Sequence, residues 1–268
     1  MMKYLIALVF VLTGCTTTPR APFDYNEVKR VGVISIMGDK AEYQRLGMTR
    51  FGNASGSFSI ADADLDALYQ KSVEEALTAM ERYEVIHLDY DPAELIAREQ
   101  AKVKRSFADV LWQGSHWKLA DQLQEMASAH QLDAILVLSP VHANTGLSVA
   151  PRGASVYYGG LPGNVMWCRV GAYSILSLIN GKDGFLVRGQ VVARETSFFE
   201  ISNNPLAGAP AVTRRSDAGS CEIQGAGPSP AQIEDFIGTF QSVLTPAHLS
   251  HTLDKLMRKA ESHRLNRR

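Results

Sequence analysis

The stretch Asp133-Ala134-Ile135-Leu136-Val137-Leu138-Ser139-Pro140-Val141 decides the architecture. Its core, Ala134 to Leu138, is apolar at every position, so an extended segment here would be apolar on both faces, the pattern of a central strand covered on both sides. A helical period leads directly into it, from about Trp117 to His130, with Leu119, Leu123, Met126 and Ala127 on one face. Further upstream, Arg30 to Met37 is a short β-branched run ended by Gly38-Asp39. Gly47 to Ser59 reads as a long loop or a hairpin, with Phe51 and Phe58 as anchors. A helix is expected from about Asp62 to Arg82, with Leu65, Leu68, Tyr69, Val73, Ala76, Leu77 and Met80 on one face, and Glu84 to Leu88 follows as a short strand. Asp91-Pro92 opens the next helix, with Asp91 as N-cap, Pro92 at the first helical position and Glu94 three residues after the cap; the helix should run to about Phe107. The order β, α, β, α, α, β predicts an α/β fold, a helix-backed mixed sheet in one layered domain, with α+β as the alternative.

Beyond Val141 the pattern changes. Asn144 to Gly163 is rich in Gly, Pro and Tyr and reads as a loop. Val165 to Ile179 and Phe185 to Glu195 read as two long strands joined at Asn180-Gly181-Lys182-Asp183-Gly184, a strong hairpin signal. Ser202 to Ser229 is a second loop-rich excursion. Two helices close the chain, one capped by Ser229-Pro230 and carrying Ile233, Phe236, Ile237, Phe240, Val243 and Leu244, the other capped by Thr245-Pro246 and carrying Leu249, Leu253, Leu256 and Met257.

The N-terminus carries an address. Lys3 is followed by an apolar run from Tyr4 to Leu12, about nine residues against the roughly 20 that span a bilayer, and then by Leu12-Thr13-Gly14-Cys15. Residues 1–14 are therefore expected to be a removable signal peptide. The tetrapeptide resembles the bacterial lipobox, which implies cleavage before Cys15 and attachment of three palmitate-type acyl chains to the new N-terminus, an anchor that is effectively permanent. Thr16 stands where retained inner-membrane lipoproteins often carry Asp, which favours the outer membrane with the domain facing the periplasm. Residues 15–27 form the lipidated Cys and tether, with Pro19 and Pro22 in a polar stretch, and 28–268 form the single folded domain.

Removing the signal leaves about 254 of 268 residues, enough for a sizeable core. The formal net charge of −1 excludes the basic surface a nucleic-acid binder needs. The one basic cluster, Arg258, Lys259, Arg264, Arg267 and Arg268, suits a solvated helix end or, in a sharper reading, anionic lipid. With Cys15 assigned to lipid, Cys168 and Cys221 remain; in an oxidising compartment they are expected to form a disulfide, with two free thiols as the alternative.

No catalytic constellation is assembled at this level. Gly38-Asp39-Lys40 resembles the Gly-Asp-Ser block of ester hydrolases but lacks its serine, and Ser35 lies inside the strand before the turn. There is no G-x-S-x-G elbow and no H-E-x-x-H. His248 and His251 share a helix face at a spacing that could present two imidazoles to a metal, but no further ligand is placed beside them, so neither a metal nor a cofactor is expected. His116 and His142 read as solvent-exposed loop residues. Gly47 to Gly52 has P-loop spacing but continues Asn53-Ala54 where Lys would be required. The segment of most promise is Tyr157-Tyr158-Gly159-Gly160-Leu161-Pro162-Gly163 with Trp167, aromatics on a loop that would bind a partner; in the bland alternative Tyr157 and Tyr158 cover the sheet edge.

Two further resemblances concern the folded domain. Val31-x-Val33-x-Ser35, Gly38-Asp39 and Gly47-x-Thr49-x-Phe51-x-Asn53 resemble the opening of a group of uncharacterised proteobacterial proteins. The order of elements and the Asn180 hairpin resemble envelope lipoprotein domains of curli-secretion and penicillin-binding-protein activator proteins, related to the N-terminal domain of the Tol translocation protein. That resemblance implies a helix-backed mixed sheet that acts by binding proteins. The sequence thus predicts a lipid-anchored, non-enzymatic accessory factor of the envelope, binding another protein or itself. The alternatives are a cell-wall or ester hydrolase using Asp39 with a distant histidine, and a secretion-pore subunit.

Overall fold

The computed structural model describes residues 23–47, 52–101, 116–142, 152–161, 163–192, 211–214, 218–224 and 227–265. The signal segment, Cys15, the tether to Pro22, Phe51, Phe107 and half of the second excursion lie outside them. The fold is mixed α/β. Strand β1 (Arg30–Ser35) pairs in parallel with β4 (Glu84–Ile86) on one side and with β5 (Ala134–Pro140) on the other, in register Val31↔Val85 and Val31↔Ala134. Helix α1 (Leu65–Thr78) makes the crossover from β1 to β4, and α2 (Pro92–Gln100) with α3 (Ala120–His130) makes the crossover from β4 to β5.

Alternation along these strands assigns each side chain to a face. Val31, Val33, Ala134, Leu136 and Leu138 join α1 residues Leu65, Tyr69, Val73 and Leu77 in one core. Ile34, Ile36, Ile135 and Val137 join Leu95 of α2 and Leu123 and Ala127 of α3 in another. The central strand is covered on both sides, as its unbroken apolar run predicts. Each such aliphatic side chain contributes on the order of 1.5–3 kcal/mol when fully buried. The C-terminal helices α4 (Pro230–Val243) and α5 (Pro246–Leu265) add Phe236, Phe240, Leu249 and Leu253 to the first core, and Tyr69 of α1 donates its hydroxyl to the Phe240 carbonyl at 2.8 Å. The caps are those the sequence predicts: Asp91 accepts from the Ala93 amide, and Ser229 with Gln232 forms a full capping box.

The second half of the sheet is antiparallel for the most part. Strand β2 (Lys40–Leu46) forms a hairpin with β3 (Ala54–Ser59), so the hairpin reading of residues 47–59 holds and Phe58 is buried. The long strand β7 (Asn164–Asn180) pairs along its first part with β6 (Gly153–Leu161) and β9 (Ala211–Arg214), and along its last part with β5 and β8 (Leu186–Val191). The turn at Asn180 closes as expected, with the Gly184 amide donating to the Asn180 carbonyl.

Two expectations are corrected here. Residues 153–161, read as loop, form a strand with its first seven residues buried. Its glycines are there for contact: a side chain at Gly159 would overlap the Trp167 ring, while Tyr157 and Tyr158 fit a pleated surface well. The 202–229 excursion also contributes a strand, β9. Cys168 and Cys221 are disulfide-bonded, both fully buried, with Cα atoms 6.3 Å apart. Among the described residues no helix is long and apolar enough to cross a membrane.

Candidate functional site

The chain leaves β1 for β4 on one side, and β5 lies on the other. The carboxyl ends of β1 and β5 therefore flank the point where connections diverge, the position at which parallel sheets open a ligand crevice. A crevice of about 530 Å³ occupies that point. Its floor is Met37 to Lys40, which follow β1, and Ser139 to Val141, which end β5; Glu99 of α2, His116 and Arg152 close the sides.

The turn after β1 is held firmly. Gly38 takes φ +87°, a conformation that costs a side-chain-bearing residue 1–2 kcal/mol by order of magnitude. The carboxylate of Asp66, in the first turn of α1, accepts from the Ser35 hydroxyl at 2.6 Å, the Met37 amide at 2.7 Å and the Gly38 amide at 3.0 Å. The Tyr90 hydroxyl accepts from the Ser35 amide and donates to the Ser35 carbonyl. Ser35 is thus wholly engaged in structure, and Asp66 is a residue that helix periodicity alone could not single out.

His116 departs from expectation. It is only 5% exposed, sits at φ +66°, and lines the crevice. Its Nε2 lies 3.4 Å from the Ser139 hydroxyl and its Nδ1 3.7 Å from a carboxylate oxygen of Glu99. Among the described residues neither His116 Nδ1 nor the second oxygen of Glu99 has a hydrogen-bond partner. Glu99 is brought there because α2 ends against the turn that follows His116: Lys118 donates to the Glu99 and Ala101 carbonyls, and Arg98 to the Lys118 carbonyl. His142 is exposed as expected, in a β-bridge to Arg152.

The other sequence-marked residues are placed as follows. His248 Nδ1 lies 2.9 Å from the Val243 carbonyl and 3.3 Å from the Thr245 hydroxyl, closing the corner between α4 and α5. His251 is half-buried on the same helix. Among the described residues no group of three or more His, Cys, Asp or Glu is placed to hold a metal ion. Tyr157 and Tyr158 are 2% and 1% exposed, so they are not displayed on a loop. The Tyr157 ring packs 5.0 Å from that of half-buried Trp167, and the Tyr158 hydroxyl exchanges hydrogen bonds with the Ile223 backbone, tying down the Cys221 segment. Burial pushes the Tyr158 hydroxyl above its usual range. What the β6–β7 hairpin does display is Leu161, 48% exposed, and Met166, 69% exposed, on either side of its turn. Gly163 makes that turn at φ +75°.

No family model matches the chain, and no curated protein does. Among solved structures, a DUF330 protein from Xanthomonas campestris, XCC0632, is similar over 92% of this chain and 93% of its own at 10% identity and a TM-score of 0.35. The lipoprotein GNA1162 from Neisseria meningitidis is similar over 78% and 93% at 10% identity and a TM-score of 0.25. Likeness at that level carries neither an activity nor a location.

Proposed function

We propose that this chain is a lipid-anchored envelope protein, held through Cys15 at the periplasmic face of the outer membrane, that binds another envelope protein through the tip of the β6–β7 hairpin. The observation that carries the proposal is the exposure of Leu161 and Met166 at that tip. Exposed apolar side chains are ordinary when single, but two beside one turn offer a partner a shared apolar contact.

Geometry supports the direction in which the tip faces. Phe23, where the described chain begins, lines a small pocket with Asp133 and Asn180, at the last residue of β7. The hairpin tip is at the first residue of β7, the other end of this 17-residue strand, or roughly 53 Å away along an extended strand. A tether spanning residues 15–22 reaches at most about 28 Å. An upright domain therefore presents the tip well clear of its own bilayer, where a protein partner is accessible.

Photo-crosslinking in intact cells tests this, with a crosslinker placed at Met166 and, as a control at the anchor end, at Lys182. A discrete protein adduct from position 166 that is absent from position 182, and that disappears in the Cys15→Ala protein, is the expected result. An adduct of twice the chain mass would make the partner a second copy. Adducts to lipid alone from position 166 would overturn the proposal.

A further inference from the structure

The hairpin tip makes no use of the crevice at the ends of β1 and β5, and that crevice holds a second, independent site. We infer that it is a hydrolytic centre for carboxylic esters, with Ser139 as nucleophile, His116 as general base and Glu99 as the positioning residue. Three observations converge on it. The crevice stands at the divergence point of the parallel strands, and its volume of about 530 Å³ suits a small molecule. Ser139, His116 and Glu99 form a row with separations of 3.4 and 3.7 Å, and hydrogen bonds in unliganded catalytic sites are commonly this long. His116 is buried, its Nδ1 has no hydrogen-bond partner among the described residues and its backbone is left-handed, a costly arrangement of the kind that concentrates at working sites.

The row fits the logic of a nucleophile, a base and an orienting acid. In the tautomer with its proton on Nδ1, His116 directs that proton toward Glu99 and leaves Nε2 free to accept from Ser139. The Ser139 oxygen attacks the ester carbonyl as its proton passes to Nε2; a bond forms between Oγ and the acyl carbon. The bond from that carbon to the alcohol oxygen then breaks, and His116 returns the proton to the departing alkoxide. Water repeats the sequence on the acyl-serine, releasing the carboxylic acid and restoring the serine. Arg152, which lines the crevice as Lys40 does, is the cation we assign to the oxyanion. Ile96 and Ile175 give the acyl chain an apolar wall, and Asp39 and Lys40 face the crevice as polar neighbours for the alcohol.

The sequence could not show this row, because its members come from a helix end, a turn and a strand end. Asp39, the residue a Gly-Asp-Ser likeness would favour, shares the crevice without being in the row.

The test uses the full lipidated chain in detergent, a fluorophosphonate probe and p-nitrophenyl esters of acetate, butyrate and octanoate. The expected result is a single phosphonyl adduct, located by peptide mass spectrometry on Ser139, and ester turnover that Ser139→Ala abolishes. His116→Gln should lower both the labelling rate and kcat by 10²–10⁴-fold, the range by order of magnitude for a general base. Glu99→Gln should lower kcat with KM unchanged, which a merely structural loss would not do. Should Ser139→Ala fail to fold, Ser139→Cys supplies the second reading, alkylation of the thiolate at a rate that His116→Gln reduces. Absence of a Ser139 adduct in the folded wild-type chain, or rates indifferent to His116, would overturn the inference.

Discussion

The sheet is one structure made by two different means. Around β4, β1 and β5, strands of Val, Ile and Leu are packed between helices on both faces, and burial of apolar side chains holds them. Around β2, β3, β6 and β9, the strands carry few large aliphatic side chains, and β3 and β6 are rich in Gly, Ser and aromatic residues; besides their hairpins they are joined by pairings distant in sequence, β2 with β6 and β7 with β9, and tied by Cys168–Cys221. The first region positions a crevice and the second projects a hairpin. The difference shows that a region poor in aliphatic side chains can be kept ordered by a covalent tie and by backbone pairing.

Breaking the tie should have the largest effect. The bond closes a loop of 53 residues, so in the chain-entropy model its loss costs about 4 kcal/mol. Replacement of both Cys168 and Cys221 by Ala should lower stability in guanidinium by that order, and hydrogen exchange should show β6 and β9 losing protection while β1 and β5 keep theirs. Equal loss in all four strands would mean that the two regions are a single cooperative unit and that the contrast is only one of composition.

The corresponding weak point of the parallel region is Asp66. Asp66→Ala leaves the Ser35 hydroxyl and the Met37 and Gly38 amides without their acceptor; unsatisfied buried donors cost about 1–3 kcal/mol each, so a loss of about 3 kcal/mol or more is expected in denaturant titration. The Cys168–Cys221 bond should survive that change intact.

Alkaline pH sharpens the comparison, since both regions bury tyrosines. Burial pushes Tyr173 up to about 12 from an ordinary 10.0, with Arg169 offsetting part of the rise, and raises Tyr69 and Tyr90 further still. A folded-state value above the unfolded one means that the folded chain holds protons the unfolded chain has released. The associated stability is therefore complete below pH 10 and is lost as pH rises toward and beyond 12. Tyr173→Phe also removes a hydroxyl that has no hydrogen-bond partner among the described residues, so it should change stability at neutral pH by less than about 1 kcal/mol while moving the alkaline unfolding midpoint upward. Thermal melts across pH 9–12 read both effects.

The same contrast explains what could be read from the chain in advance. The parallel region was legible because apolar period, caps and strand length all act locally: Ala134 to Leu138, Asp91-Pro92 and Ser229-Pro230 each carry their own signal. The hairpin at Asn180 was legible for the same reason. Strand β6 was not, since Gly153 to Leu161 becomes a strand only by lying between β2 and β7, and the burial of Tyr157 and Tyr158 follows from that placement. The burial of His116 is not legible in the sequence because it depends on α2 and on β5, which other stretches of the chain supply. The crevice row is illegible in one dimension for that reason, and so is the exposure of Leu161 and Met166 beside the buried Tyr157 and Tyr158.

The smallest effect on stability should come from the most functionally telling change, Leu161→Ser with Met166→Ser. Met166 is largely in solvent and Leu161 about half so, and surface substitutions away from caps and cores fall within about 0.5 kcal/mol. The pair should therefore leave the denaturation midpoint and the disulfide unchanged while removing the crosslink formed from a nearby exposed position such as Asn164. Loss of the crosslink with stability intact would make the tip a binding surface supported by, but energetically separate from, the tied region beneath it. A fall of 2 kcal/mol or more would show that the tip is part of what orders that region, and display would then no longer account for its exposure.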